Sequence, residues 1–173
     1  MGWLPIIICL AALALILGPI MLMQPTPAQR RETRLRNAAL KRGLRVHYQP
    51  IPKGSDHNSG SRKQAVTYCL PWHEQDDIRN VWVLIKKSFV HDLHVFGDWD
   101  WLQSPSHMPE GFVTELEQGV NCLPGNVYAL CSGPQGLCCF WNELGSENDV
   151  EAIADWLEQT AASISCASGR NGI

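Results

Sequence analysis

The sequence lacks the short motifs by which most nucleotide-binding and hydrolytic enzymes are recognised. It contains no G-x-x-x-x-G-K-[ST] phosphate loop, no G-x-G-x-x-G dinucleotide-binding turn and no G-x-S-x-G nucleophile elbow. None of its cysteine pairs has the C-x₂₋₄-C spacing that zinc sites favour. The sequence therefore predicts no catalytic residue, no metal and no cofactor, and it favours a non-enzymatic role.

Charge is absent from one long stretch near the start of the chain. The 21 residues from Trp3 to Met23 include no charged side chain, and no Lys or Arg precedes them. A helix of that length spans about 31 Å, close to the hydrocarbon thickness of a bilayer. A secretory signal peptide has a shorter apolar region of about 7–15 residues, preceded by positive charge. We therefore expect residues 1–23 to form a transmembrane anchor, with a buried core helix as the alternative.

Positive charge follows this segment at once, and negative charge follows the positive charge. Residues 30–45 contain seven basic residues and one acidic residue, Glu32. By contrast, residues 46–173 contain seven basic and 16 acidic residues, a net charge of −9. Because Lys and Arg beside a membrane span mark its cytoplasmic end, the N-terminus is predicted outside and the rest in the cytoplasm, at the inner membrane. The acidic body argues against nucleic-acid binding. We call the seven basic residues the basic collar and expect them to contact the lipid surface: Arg30, Arg31, Arg34, Arg36, Lys41, Arg42 and Arg45.

A second helix is predicted between the anchor and the soluble part. Thr26 is a favourable N-cap, Pro27 suits the first helical position, and Gly43 suits the end. With few apolar residues, this juxtamembrane helix over residues 24–43 is expected to stay outside the core. A soluble domain then covers residues 44–164, and residues 165–173 form a flexible tail.

The soluble part alternates between strand-like and helix-like patterns. Alternating apolar residues predict strands at about 45–49, 65–70 and 80–89, and helical spacing predicts helices at about 109–121 and 148–164. Between them, Ser-Gly-Pro-Gln-Gly connects two strands as a hairpin. The order β-β-β-α-β-β-α predicts an α+β fold with an antiparallel sheet and helices on one face. Residues 90–108 read as an irregular aromatic segment.

The seven cysteines are interpreted from the predicted location. In a reducing cytoplasm they are expected to be free, mostly buried thiols. The predicted hairpin brings Cys131 near Cys138, while Cys138 and Cys139 point to opposite faces of their strand. The alternative function is a membrane-bound enzyme or a thiol sensor that uses Cys138 or Cys139.

Two further groups are candidates for binding. His91 and His94 form H-x-x-H, which lacks the spacing and the glutamate of the helical zinc motif. Phe96, Trp99 and Trp101 offer a candidate partner patch, because Trp is enriched at binding hot spots, or else they cover the sheet as core residues.

The start of the chain resembles a known group of proteins. Pro25, Pro27 and the run Arg30, Arg31, Arg34, Leu35 and Arg36 follow the apolar anchor. This layout over residues 1–50 is similar to small uncharacterised single-pass inner-membrane proteins of proteobacteria. The resemblance implies no catalytic residues. Together these features predict a membrane-tethered, non-enzymatic interaction or accessory domain, with the lipid bilayer and another membrane or cytoplasmic protein as partners.

Overall fold

The computed structural model describes residues 2–22, 24–54, 64–72, 81–87, 95–106 and 111–169, without the side chains of residues 16, 19–22 and 165–169. Over these residues the chain is an α+β protein with four helices and a six-stranded antiparallel sheet, which confirms the predicted class. The elements in chain order are α1 (Leu4–Leu22), α2 (Pro27–Lys41), β1 (Arg45–Pro50), β2 (Gln64–Leu70), β3 (Trp82–Lys86), β4 (Trp99–Gln103), α3 (Phe112–Val120), β5 (Val127–Gly133), β6 (Gly136–Trp141) and α4 (Glu147–Gly169).

The contacts divide the chain into two units, residues 1–33 and 34–173. The first unit contains α1, which confirms that the uncharged segment is helical. Across the parts of the helices that the structure describes, none is long and apolar enough to cross a membrane. The membrane-spanning part of the prediction is therefore not confirmed.

The start of α2 follows the capping chemistry expected from the sequence. The backbone N–H of Gln29 donates to the Thr26 hydroxyl at 3.3 Å, and the Thr26 N–H donates to the Gln29 side-chain oxygen at 2.9 Å. This reciprocal pair is a capping box, and it satisfies donors that a helix start otherwise leaves unpaired. At the other end Gly43 has φ of 75°, a conformation that favours glycine after a helix.

The sheet has the strand order β1-β2-β6-β5-β3-β4, with every neighbouring pair antiparallel. The hairpin predicted around Ser-Gly-Pro-Gln-Gly is confirmed as β5 and β6, which close at the Gly133–Gly136 pair. The prediction of an irregular segment between residues 90 and 108 is wrong for β4. There Trp99 and Trp101 alternate with Asp100, the period-two pattern of a strand, and the three pair with β3.

The main core lies between one face of the sheet and three helices. Buried residues of α2, α3 and α4 share one apolar cluster with alternating residues of the strands, such as Tyr68, Leu84 and Leu130. A smaller cluster around Ile85, Ala129 and Phe140 lies on the opposite face. Helices α2, α3 and α4 therefore pack on one face of the sheet, which we call the helix face; the other is the open face.

The interpretation of α2 as a helix outside the core is wrong for its second half. Leu35 and Ala39 are fully buried and Ala38 nearly so, and all three belong to the main core. Their spacing of three and four residues places them on one side of the helix, which is enough to dock it despite its many charges.

Candidate functional site

The most unusual surface among the described residues is that of α1. Ile6, Ile7 and Ile8 are three consecutive apolar residues, and each keeps about 60% of its side chain exposed (59%, 61% and 59%). Because neighbouring residues of a helix point about 100° apart, three exposed neighbours mean that α1 is apolar all around. Leu10, Leu13 and Leu15 continue this surface along the helix. A helix of this type is normally buried in a large core or in a membrane.

The structure places the seven residues of the basic collar in two different environments. Arg30, Arg34, Lys41 and Arg45 are exposed, whereas Arg31, Arg36 and Arg42 are half-buried. Arg42 lies against the acidic surface of α4, where it pairs with Glu151, with Asp155 at 2.5 Å and with Glu158 at 3.2 Å. Some basic side chains that were expected to contact the lipid surface thus form ion pairs with acidic side chains of the domain itself.

Arg36 takes part in a buried polar cluster. Its Nε donates to Glu143 Oε1 at 2.8 Å and one terminal nitrogen donates to Oε2 at 2.7 Å, a bidentate pair. The Tyr68 hydroxyl donates to the same Glu143 Oε1 at 3.0 Å. Glu143 is only 5% exposed, and its three hydrogen bonds compensate for removing the carboxylate from water.

Two further features distinguish this cluster. Glu143 has φ of 55°, the left-handed conformation that non-glycine residues adopt rarely. Burial, reinforced by the nearby Glu143 carboxylate, raises the pKa of the Tyr68 hydroxyl above its ordinary value. Tyr68 therefore stays protonated and serves as a donor. The cluster joins α2, β2 and the β6–α4 connection, and its polar groups are directed at one another, as in a structural ion pair.

Sequence reasoning did not identify Tyr68 or Glu143 as partners of Arg36. Tyr68 was visible only as the apolar face of a strand, and Glu143 as one acidic residue among many. The pairing joins residues 107 positions apart, so no local spacing could have indicated it.

The aromatic residues proposed as a partner patch pack mainly into the core. Phe96 and Trp99 are 8% and 7% exposed, and both belong to the main cluster. Trp101 is half-buried and stacks edge-to-face on Trp82, with ring centroids 5.7 Å apart. The alternative interpretation of these residues, as covers of the sheet, describes their positions better.

The remaining binding candidates are the two histidines of the H-x-x-H segment. His91 and His94 lie outside the described residues. Asp100, on the open face, is buried and pairs with Lys87 at 2.9 Å. Within the described ranges, no group of three or more His, Cys, Asp or Glu side chains is arranged to hold a metal ion.

The cysteines differ from the expectation of free thiols. Cys69 and Cys138 lie opposite each other on β2 and β6 and form a disulfide, so that expectation is wrong for this pair. Cys9, Cys122, Cys131 and Cys139 are free. Two distant strands meet here in a register that sequence patterns do not reveal, which is why sequence reasoning missed the bond.

Cys139 is poorly placed for the alternative role as a thiol sensor. It lies on the helix face and is fully buried, and burial raises the pKa of its thiol above the ordinary value. A buried neutral thiol is a weak nucleophile. The other cysteines of the sheet, Cys69, Cys138 and Cys131, lie on the open face.

The described residues also line concave surfaces. A cavity of about 330 Å³ lies between α3 and α4, with Trp156, Gly119 and Cys122 among its lining residues. Another of about 310 Å³ is bordered by Lys86, Asp98 and Glu117. Neither brings together a nucleophile and a base at hydrogen-bonding distance among the described contacts, so their geometry does not point to a reaction class.

The chain matches no protein-family model, no curated protein and no solved structure. The resemblance of residues 1–50 to proteobacterial inner-membrane proteins therefore stays a prediction.

Proposed function

We propose that this chain is a membrane-tethered, non-enzymatic accessory or interaction domain, anchored by α1 to the inner membrane with residues 24–173 on the cytoplasmic side. The observation that carries the proposal is the surface of α1, on which apolar side chains are exposed on every side. At about 25 cal/mol per Å² of apolar surface, leaving such a helix in water is strongly unfavourable. A bilayer supplies the missing burial to all sides at once.

The sequence supports a span and a direction for this helix. Its 21-residue uncharged stretch matches the thickness of a bilayer, and all seven residues of the basic collar follow it. Within the collar, the contacts of individual residues support some of them over others for a role at the lipid surface. Because Arg36 and Arg42 engage acidic side chains of the domain, the exposed Arg30, Arg34, Lys41 and Arg45 are the better candidates for anionic lipid headgroups.

Extraction of membranes with alkaline carbonate tests the tether. The wild-type chain should stay in the membrane pellet, because carbonate removes peripheral proteins and leaves inserted helices. Leu13→Arg places a charge near the middle of α1, at a cost of about 2.5–3.5 kcal/mol for insertion, and should move the chain to the supernatant. Leu144→Arg is the matched control, because Leu144 is an exposed leucine of the domain. Wild-type protein in the supernatant would contradict the proposal.

Fusions to the C-terminus test the direction. Alkaline phosphatase becomes active only when exported, and green fluorescent protein fluoresces well when retained in the cytoplasm. The proposal predicts a fluorescent, phosphatase-negative pair. An active phosphatase fusion would place the domain outside and overturn the cytoplasmic assignment while leaving the tether intact.

A further inference from the structure

Three cysteines form one row across the middle of the open face. Strands β2, β6 and β5 are neighbours, Cys69 lies directly opposite Cys138, and Cys138 lies directly opposite Cys131. Directly opposite residues of antiparallel strands project to the same face of the sheet. We call Cys69, Cys138 and Cys131 the cysteine row. The row runs across the strands, with Cys138 on the central strand β6 and Cys69 and Cys131 on the strands to either side.

The row contains one disulfide and one free thiol. Cys69 and Cys138 are bonded, with their Cα atoms 4.0 Å apart, whereas Cys131 is free. Opposite residues of an antiparallel pair usually have Cα atoms about 4.5–5.5 Å apart, a separation within the range of about 4.4–6.8 Å that is most common for disulfides. Cys138 can therefore bond to Cys131 with no change in strand register.

Exposure differs along the row in a way that matters for chemistry. Cys69 is 0% exposed and Cys138 is 2% exposed, so a thiol in solution has little access to the sulfur atoms of the disulfide. Cys131 is only half-buried. The free thiol at the end of the row is thus its most accessible member.

We propose that the cysteine row is an intramolecular thiol–disulfide exchange site, in which Cys131 connects the buried disulfide to thiols in solution. Burial raises the pKa of the Cys131 thiol to about 12, so only a small fraction loses its proton to solvent in mildly alkaline solution. That thiolate fraction attacks Cys138 Sγ, which lies opposite it in the row. The Cys131–Cys138 bond forms, the Cys69–Cys138 bond breaks, and Cys69 leaves as a thiolate that takes up a proton. Attack on a disulfide sulfur requires the incoming and leaving sulfurs on opposite sides, and the row places Cys131 and Cys69 on opposite sides of Cys138.

The leaving sulfur has a polar neighbour. Gln49 Nε2 lies 3.9 Å from Cys69 Sγ and also donates to Gln135 Oε1 at 2.7 Å. An amide N–H at this position stabilises a developing thiolate. Gln135 lies in the β5–β6 turn, so the same contact ties the turn to β1, next to the row.

The exchange makes the disulfide reducible from outside. After it, the sulfur of Cys131 is part of the bond, and an external dithiol attacks it there. That dithiol forms a mixed disulfide with Cys131 and releases the Cys138 thiolate; its second thiol then attacks the mixed disulfide, leaving Cys131 as a thiol and the dithiol oxidised. The exchange also moves the disulfide from the β2–β6 pair to the β5–β6 hairpin, so β2 and its edge neighbour β1 lose their disulfide cross-link to the rest of the sheet. This inference does not rest on the membrane tether.

The rate of disulfide reduction in the folded protein tests the proposal. The full-length chain, with its disulfide formed by oxidised glutathione, is exposed to dithiothreitol at mildly alkaline pH, and the release of Cys69 and Cys138 is followed by alkylation and mass spectrometry. Wild type should be reduced about tenfold or more faster than Cys131→Ser. Cys122→Ser, which removes another free thiol, is the matched control and should behave as wild type.

The direction of this effect separates exchange from a structural role. A substitution that merely loosens the fold would speed up reduction, whereas the proposal predicts that Cys131→Ser slows it. Equal rates in wild type and Cys131→Ser would overturn the proposal.

A trapping experiment gives a second reading without a reductant. Wild type is quenched in acid, which stops exchange, and is then unfolded in denaturant and treated with N-ethylmaleimide at mildly acidic pH. Part of Cys69 and part of Cys131 should be labelled, because exchange leaves one or the other free in each molecule. In Cys131→Ser, Cys69 should remain unlabelled. Complete labelling of Cys131 with none at Cys69 in wild type, or failure of both disulfides to form, would contradict the exchange.

Discussion

The helices α1 and α4 use the same apolar residue types in opposite environments. In α4, Val150, Ile153 and Leu157 form a single stripe that is 0% exposed. In α1, Leu13 and Leu15 are 55% and 76% exposed, and apolar residues surround the whole helix. The stripe of α4 is one-sided because the sheet offers one side for packing. An apolar surface on every side is best satisfied by an environment that surrounds the helix, and this difference is the basis for the proposal that α1 lies in a membrane.

The largest expected effect concerns the strands on which α4 packs. It contacts β2 and β6, the two strands that the Cys69–Cys138 disulfide joins across a sequence separation of 69 residues. In the chain-entropy model, losing a link that closes such a loop lowers the free energy of unfolding by about 4 kcal/mol. Urea unfolding of Cys69→Ser in detergent, followed by tryptophan fluorescence, measures this. A loss below about 1 kcal/mol would mean that the link contributes little to the sheet beneath α4.

The next largest effect compares the loss of stability when a leucine is truncated in α4 and in α1. Leu157→Ala removes buried methyl groups and should lower the free energy of unfolding by about 3 kcal/mol. Leu13→Ala, in the exposed surface of α1, should leave the unfolding of the domain unchanged. Both are measured by urea unfolding of the full chain in the same detergent. Similar losses for the two variants would remove the contrast on which the assignment of α1 depends.

A smaller effect compares two arginines that dock α2. Arg36→Met leaves the buried Glu143 without its partner, and we expect a loss of about 2 kcal/mol, reduced from the value for a fully buried pair because the Arg36 side chain is 30% exposed. Arg42→Met is the matched control. Its partners on α4 are about half exposed, so its loss should be about 0.5–1 kcal/mol and should shrink in high salt. The reverse order would show that the buried cluster is not what docks α2.

The smallest expected effect concerns the Cys131 thiol, which changes the free energy of unfolding only in alkaline solution. Burial raises the pKa of the Cys131 thiol from 9.0 to about 12, so the folded state favours the neutral thiol. The resulting stability is fully present below about pH 9 and is lost as the pH rises from there towards 12, because the unfolded chain releases its proton first. Urea unfolding across this range should show a shallower loss for Cys131→Ala than for wild type. Cys122→Ala, at an exposed position, should follow wild type.

Local signals in the sequence were sufficient for much of this fold. The capping of α2 by Thr26, the stripe of α4 and the β5–β6 hairpin all depend on residues close in the chain, and each was predicted. The strand β4 was missed because residues 90–108 were interpreted as one irregular aromatic segment, although Trp99 and Trp101 alternate with Asp100 as strand residues do. The two tryptophans of β4 pack into or against the main core.

Long-range pairings explain what the sequence did not predict. The Arg36–Glu143 ion pair and the Cys69–Cys138 disulfide each join strands or helices whose register is set only by the assembled sheet. At the β2–β6 junction, for example, a Cβ on Gly136 would lie 2.0 Å from the Leu70 carbonyl oxygen. That close approach requires glycine, yet in the sequence Gly136 indicated only a turn.

The most direct test of the membrane assignment uses two cysteines already present. Cys9 of α1 and Cys122, which follows α3, are both free and exposed in the chain itself. In lipid nanodiscs, where both membrane faces are open to solvent, a charged water-soluble thiol reagent should modify Cys122 completely and leave Cys9 unmodified, and dissolving the bilayer in dodecyl sulfate should make both react. Equal modification of Cys9 and Cys122 in the intact nanodisc would contradict the account, because it would place α1 in water.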